Sequence, residues 1–138
     1  MRTLFLVAGV LLSAVGIFAV KTHADHEEDE RVEKLMEKTH EGKRSPYGQL
    51  RQIVEGPGAP WPVIEQTVAG FDPMVRALLD SKNADVKDSA DGYVDAVKEL
   101  TAAVKRRDAK GVRKGFDSLK QSCGDCHFKG GVGGELDD

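Results

Sequence analysis

A chain of 138 residues with a formal net charge of −3 has room for one domain with a proper core and too little for two. So mild a charge excludes the strongly basic footprint of a nucleic-acid binder. Aromatic residues make up only 6% of the chain, which leaves Val, Leu and Ala to build a helical interior.

The N-terminus addresses compartment. Arg2 is followed by an uncharged, largely apolar run over residues 4–20, and Thr22-His23-Ala24 ends on a small residue. That order matches a secretory signal, residues 1–24, cleaved after Ala24. At seventeen residues the run is long for a signal and near the lower limit for a spanning helix, so an uncleaved membrane anchor is the alternative. Cleavage removes Arg2 and Lys21 but no acid, so the charge goes from −3 to −5.

A domain over residues 25–128 follows. Residues 25–30 are an acidic cluster that complements the positive end of a helix dipole, although a solvated face explains them as well. Val32, Leu35, Met36 and Thr39 recur at helical spacing, with His40 one turn beyond Met36 on the same face. Gly42 weakens the helix, and Ser45-Pro46 reads as a new cap with proline at the first helical position. Residues 27–41 and 46–55 are therefore predicted as two parts of one bent first helix, with Leu50, Ile53 and Val54 continuing its buried face.

The stretch 56–60, Gly-Pro-Gly-Ala-Pro, is a turn by composition. A second helix carries Trp61, Ile64, Val68, Phe71, Val75 and Leu78 on one side, and Asp72-Pro73 should kink or restart it. Residues 80–85 form a short polar connection. The third helix carries Val86, Tyr93, Val97, Leu100 and Val104 inward, and Asp108 can cap the fourth. The fourth helix turns Val112, Phe116, Leu119 and Cys123 inward, and Cys126-His127 extends that stripe by a turn. The glycine-rich, acidic tail 129–138 reads as disordered. Four amphipathic helices with short connections imply an all-α, antiparallel up-and-down four-helix bundle.

The chemistry lies in Cys123-Gly124-Asp125-Cys126-His127. Cys-x-x-Cys-His is the pattern of covalent c-type haem attachment. Each sulfur adds to one vinyl group of the porphyrin, so the thiols must stand one helical turn apart. The next residue, His127, then reaches the iron as proximal ligand. A redox dithiol would follow a strand, and none is visible. Structural zinc needs four ligands, and His23, His26 and His40 form no second pair beside these two cysteines. A plain disulfide leaves His127 without a role. Haem is attached after export, so the motif and the N-terminal signal support one another, and the bundle is expected around one covalent haem c. Phe128 is a candidate contact at the haem edge.

Placed at the end of the last helix, this motif resembles the class II c-type cytochromes, cytochrome c′ and its low-spin relatives. The likeness is carried by Glu99-Leu-Thr-Ala-Ala, Asp108, Val112-Arg113, Phe116 and Ser122-Cys-Gly-Asp-Cys-His127, with Ile53-Val54-Glu55-Gly56 closing the first helix. Two features depart from the family. Phe128-Lys129 runs into a glycine-rich tail instead of a short basic end, and Pro46 interrupts a helix that is usually continuous.

The resemblance implies that the first helix faces the haem side opposite His127. Counting back from Gly56 lands on His40, whereas Arg31-Val-Glu-Lys-Leu-Met36 resembles the methionine-ligated members. His40 is the favoured distal ligand and Met36 the alternative, and both are candidate haem contacts. An open distal site is the third option. Core packing is the plain alternative for Met36, and a partly exposed histidine for His40. Lys43, Arg44 or Arg51 are candidate partners of the haem propionates.

By the same resemblance the function is single-electron transfer outside the cytoplasm, in the periplasm or otherwise exported, with transient redox-protein partners and no substrate transformed. The alternative is NO or CO binding at a five-coordinate or weakly six-coordinate haem. A peroxidase-like enzyme would require His40 off the iron. Pairing of two copies through the first two helices is a further implication, with Trp61 and Phe71 as candidate contacts, though core burial explains both more simply. A membrane association is expected only if the signal segment stays uncleaved.

Overall fold

The computed structural model of the chain describes residues 23–129. The expected signal or anchor run 4–20 and the tail from residue 130 lie outside them. Among the described residues there are six helical segments and no strand: α1 (His23–His40), α2 (Pro46–Glu55), α3 (Trp61–Ala69), α4 (Asp72–Asp80), α5 (Ala84–Lys105) and α6 (Ala109–Lys129). None of them is long and apolar enough to cross a membrane. They form four rods, α1–α2, α3–α4, α5 and α6, packed antiparallel as the helical patterns and short connections require.

The first rod is broken more fully than a bend. Gly42 adopts φ +81, a left-handed conformation that glycine takes at no steric cost. The Ser45 hydroxyl donates to the Gly42 carbonyl at 2.8 Å and accepts from the Gly48 N–H at 3.0 Å, which caps α2 behind Pro46. The second rod is kinked as Asp72-Pro73 leads one to expect. Gly70 and Phe71 keep helical dihedrals, and the Phe71 N–H tightens onto the Val68 carbonyl at 3.1 Å. The polar connection is shorter than 80–85, because α5 already begins at Ala84.

The last two rods meet through a compact turn. Arg107, at φ +52, stands in the left-handed position after α5. Its N–H donates to Val104 O and that of Asp108 to Ala103 O, both at 2.9 Å, the paired bonds that close a helix C-terminus. Asp108 then caps α6, its carboxylate accepting the Gly111 N–H at 3.0 Å. Farther along, a Cβ on Gly115 would stand only 2.9 Å from Leu100 Cγ, so glycine lets α6 approach α5 closely.

Phe71, Leu50, Met74, Leu100 and Leu119 are the largest fully buried side chains. Phe71 therefore has no surface to offer a second copy. Val97, Val104, Val112 and Phe116 are buried as their spacing implies. Met74, Val94 and the alanines 90, 96 and 103 join them without having stood out in the sequence. Arg113 links the rods by donating to the Val54 carbonyl at 3.0 Å. That carbonyl is one of the last in α2, where a cation is favoured.

Candidate haem site

His40 closes α1, so the break after it turns the ring into the bundle instead of carrying the helix onward. Its imidazole lies 5.7 Å from the ring of Tyr47, 6.0 Å from Phe71 and 5.5 Å from Tyr93. Tyr47 in turn stacks at 5.4 Å on Phe116. Aromatic groups from three rods thus surround one histidine, and Phe116 of the fourth packs on Tyr47. Nδ1 of His40 stands 3.1 Å from the Met36 carbonyl, a bond that requires the proton on Nδ1 and leaves the lone pair on the buried Nε2. Met36 is half-buried and packs, with Val32 and Leu35, against the edge of the core.

Cys123 is half-buried on the facing helix, its thiol donating to the Leu119 carbonyl at 3.3 Å. Beside it Ser122 is buried and bonded to the same carbonyl at 2.7 Å. Burial pushes the Tyr93 phenol well above its ordinary range, and negative charge at Cys123 pushes it further. Burial, then Cys123, raises Tyr47 in the same way. The sulfur is therefore within electrostatic reach of both phenols, and these stay neutral hydrogen-bond donors at ordinary pH. The Tyr93 hydroxyl is buried and has no hydrogen-bond partner among the described residues. A buried hydroxyl left so costs about 1–3 kcal/mol, and it marks a place that expects another polar group.

Cys123 is thus electrostatically coupled to two of the aromatic residues around His40. The helix backbone runs unbroken to Lys129, so positions 123, 126 and 127 fall three and four residues apart on one face. The side chains of Cys126, His127 and Phe128 lie outside the described residues. Lys43 and Arg44 are exposed in the turn after α1, and Arg51 holds Glu55 through its Nε at 3.1 Å on an exposed face. Among the described residues no three His, Cys, Asp or Glu side chains converge as a metal site.

This donor set fits a covalently held haem. A half-buried thiol on α6 and an imidazole with a buried Nε2 on α1 border the same aromatic and aliphatic walls, and one buried hydroxyl awaits a partner. Sequence reasoning singled out His40, Met36 and Cys123 but gave Tyr47 and Tyr93 no site role. Tyr93 stood only as an inward residue of the third helix, and nothing in its spacing distinguishes a core tyrosine from a pocket one.

A model of the family described as Cytochrome C' matches residues 48–129, from α2 through the end of α6. Neither a curated protein nor a solved structure matches the chain. The matched span covers more than half of the sequence and includes the Cys-x-x-Cys-His motif, while His40 and Met36 precede it. The chain belongs to the cytochrome c′ family, the class II c-type cytochromes, and that membership implies a covalently bound c-type haem.

Proposed function

We propose that the protein is a monohaem electron carrier acting outside the cytoplasm, attached to haem through Cys123 and Cys126 and ligated by His127 on the proximal side and His40 on the distal side. Family membership alone is coarser: it means a haem protein of electron transfer or of NO and CO binding, generally without enzymatic activity. When bound, the haem supplies one-electron chemistry as its iron passes between ferric and ferrous.

His40 carries the reading. Its Nδ1–H bond to Met36 O fixes the tautomer in which Nε2 is the basic nitrogen, and such a bond from the other ring nitrogen is how ligating histidines are oriented. Tyr47, Phe71 and Tyr93 hold the ring between them, so it reorients little when the charge on iron changes. Apolar neighbours exclude water, and the neutral phenols add no charge. Met36, the alternative ligand, serves His40 through its carbonyl while its side chain packs at the core edge. A histidine pair sets a lower reduction potential than histidine with methionine.

One observation favours gas binding as the second reading. The buried Tyr93 hydroxyl is a donor suited to a diatomic ligand on iron. The spectrum of the ferrous holoprotein with and without carbon monoxide decides. We expect a low-spin spectrum that carbon monoxide leaves unchanged. His40→Ala should turn it high-spin and open to carbon monoxide, while Met36→Ala should keep it low-spin. An unaltered His40→Ala spectrum removes the distal assignment, and prompt conversion of the wild type transfers the reading to gas binding.

A further inference from the structure

Positive charge gathers at the end of the bundle far from the cysteines. Six of the chain's 20 Lys and Arg fall within residues 105–114, with Asp108 the single acid among them. That carboxylate is engaged by the Gly111 N–H. Lys105, Arg106, Arg107, Lys110 and Lys114 are exposed, and among the described residues no ion pair joins any of them.

Local energetics do not account for this placement. Lys105 suits the last turn of α5. Arg107, however, occupies a left-handed position where glycine is the least costly choice. Lys110 and Lys114 stand in the first two turns of α6, where the dipole opposes cations and the first turn holds no acid. They are also four residues apart, which sets like charges side by side. The cations are kept against backbone, dipole and pairwise preferences, in a protein whose net charge is negative.

Apolar groups sit beside them. α3 packs antiparallel on α5, so its first turn lies at this same end. There Trp61 is half-buried and Val63 is 44% exposed. Arg113, through the Val54 carbonyl, draws the end of α2 to the same place.

We propose that this end of the bundle docks on the surface of an anionic phospholipid membrane, the cations meeting headgroup phosphates while Trp61 and Val63 enter the headgroup boundary. Basic side chains around an interfacial tryptophan are the composition that such a boundary favours. A soluble acidic protein would answer the charge but not the exposed valine and tryptophan. A redox partner needs the haem edge, and Cys123 lies thirteen residues along α6 from Lys110, about 20 Å away. Docked in this way, the protein holds its haem end outward, toward soluble partners.

The test uses the processed holoprotein with phosphatidylglycerol vesicles at low salt, and phosphatidylcholine vesicles as reference. Trp61 is the single tryptophan of the chain and reports directly. We expect co-sedimentation with the anionic vesicles alone, a shift of Trp61 emission to shorter wavelength, and release by salt. The triple change Lys105→Gln, Arg106→Gln and Arg107→Gln should lower partitioning about 100-fold. The pair Lys110→Gln and Lys114→Gln, which relieves crowding and folds at least as well, should lower it about 30-fold. The same charge change at Lys34, Lys87 and Lys98 should have no more than a few-fold effect. The proposal is overturned by absence of binding at low salt, by equal binding to neutral vesicles, or by equal losses from the distant lysines. Equal retention by soluble polyglutamate with Trp61 emission unmoved also overturns it, because that outcome marks a surface for any polyanion.

Discussion

The last two helices and the first rod reach burial by different routes. α5 and α6 pack along their lengths with Leu100 and Leu119 fully enclosed, and Gly115 lets them approach. Their connection is closed by bonds of its own backbone and by the Asp108 carboxylate. α1 offers Val32, Leu35 and Met36 only half-buried. It ends on His40, whose ring leans on three aromatic neighbours around a buried nitrogen and a buried hydroxyl. Toward its turn the hairpin is thus filled by side chains alone. The first rod closes over the other half of α5, where the Tyr93 hydroxyl has no partner among the described residues, so the haem that family membership implies bears on packing there as well as on chemistry.

Deleting the same chemistry on the two sides measures that difference. Leu100→Ala removes a fully buried side chain from the hairpin and should cost about 3 kcal/mol in urea unfolding of the holoprotein. Leu35→Ala, at the half-buried edge, should cost about 1 kcal/mol. Equal costs would mean that α1 is bound into the core as firmly as the hairpin, and the contrast would fail.

Alkaline pH probes the cluster around His40 from its α5 side. The Tyr93 phenol is raised chiefly by burial, so above its unfolded value near 10 the folded state retains a proton that the unfolded chain releases. Its contribution to stability is therefore full below pH 10 and is lost as pH rises, at about 1.4 kcal/mol per pH unit. Tyr93→Phe should flatten that decline, in unfolding measured between pH 9 and 11. A profile as steep as the wild type's would place the responsible group elsewhere.

Much of this arrangement was legible in the sequence, for identifiable reasons. Apolar residues recurring at helical spacing marked the third and fourth rods, and Leu100, Val104, Val112 and Leu119 lie where that period puts them. Ser45-Pro46 and Asp108 announced helix starts because capping needs a specific side chain at a specific place, and both hydrogen bonds are present. Met74 was not legible, since it follows Pro73 and its face depends on how sharply the chain turns at Gly70 and Phe71. Nor was the company of His40. That Tyr47, Phe71 and Tyr93 meet its ring is set by packing of three rods, and no local spacing encodes it.

The two caps provide the smallest and most discriminating comparison. Ser45 and Asp108 perform one task, each accepting at 3.0 Å the N–H of the residue three positions on. Replacing either by alanine should cost about 1 kcal/mol in unfolding free energy. Their consequences at the iron should differ. Asp108 closes a turn whose ends are also fixed by the Arg107 and Asp108 backbone bonds, and Cys123 lies far along α6, so Asp108→Ala should leave the haem spectrum unchanged. Ser45 also donates to the Gly42 carbonyl, which ties together the turn between His40 and Tyr47. On the proposed His40 ligation, Ser45→Ala frees that turn, so it should let carbon monoxide convert part of the ferrous spectrum that it leaves unchanged in the wild type. If carbon monoxide leaves both variants unchanged, the aromatic neighbours alone hold the His40 ring in place, and the break after α1 has no part in positioning it.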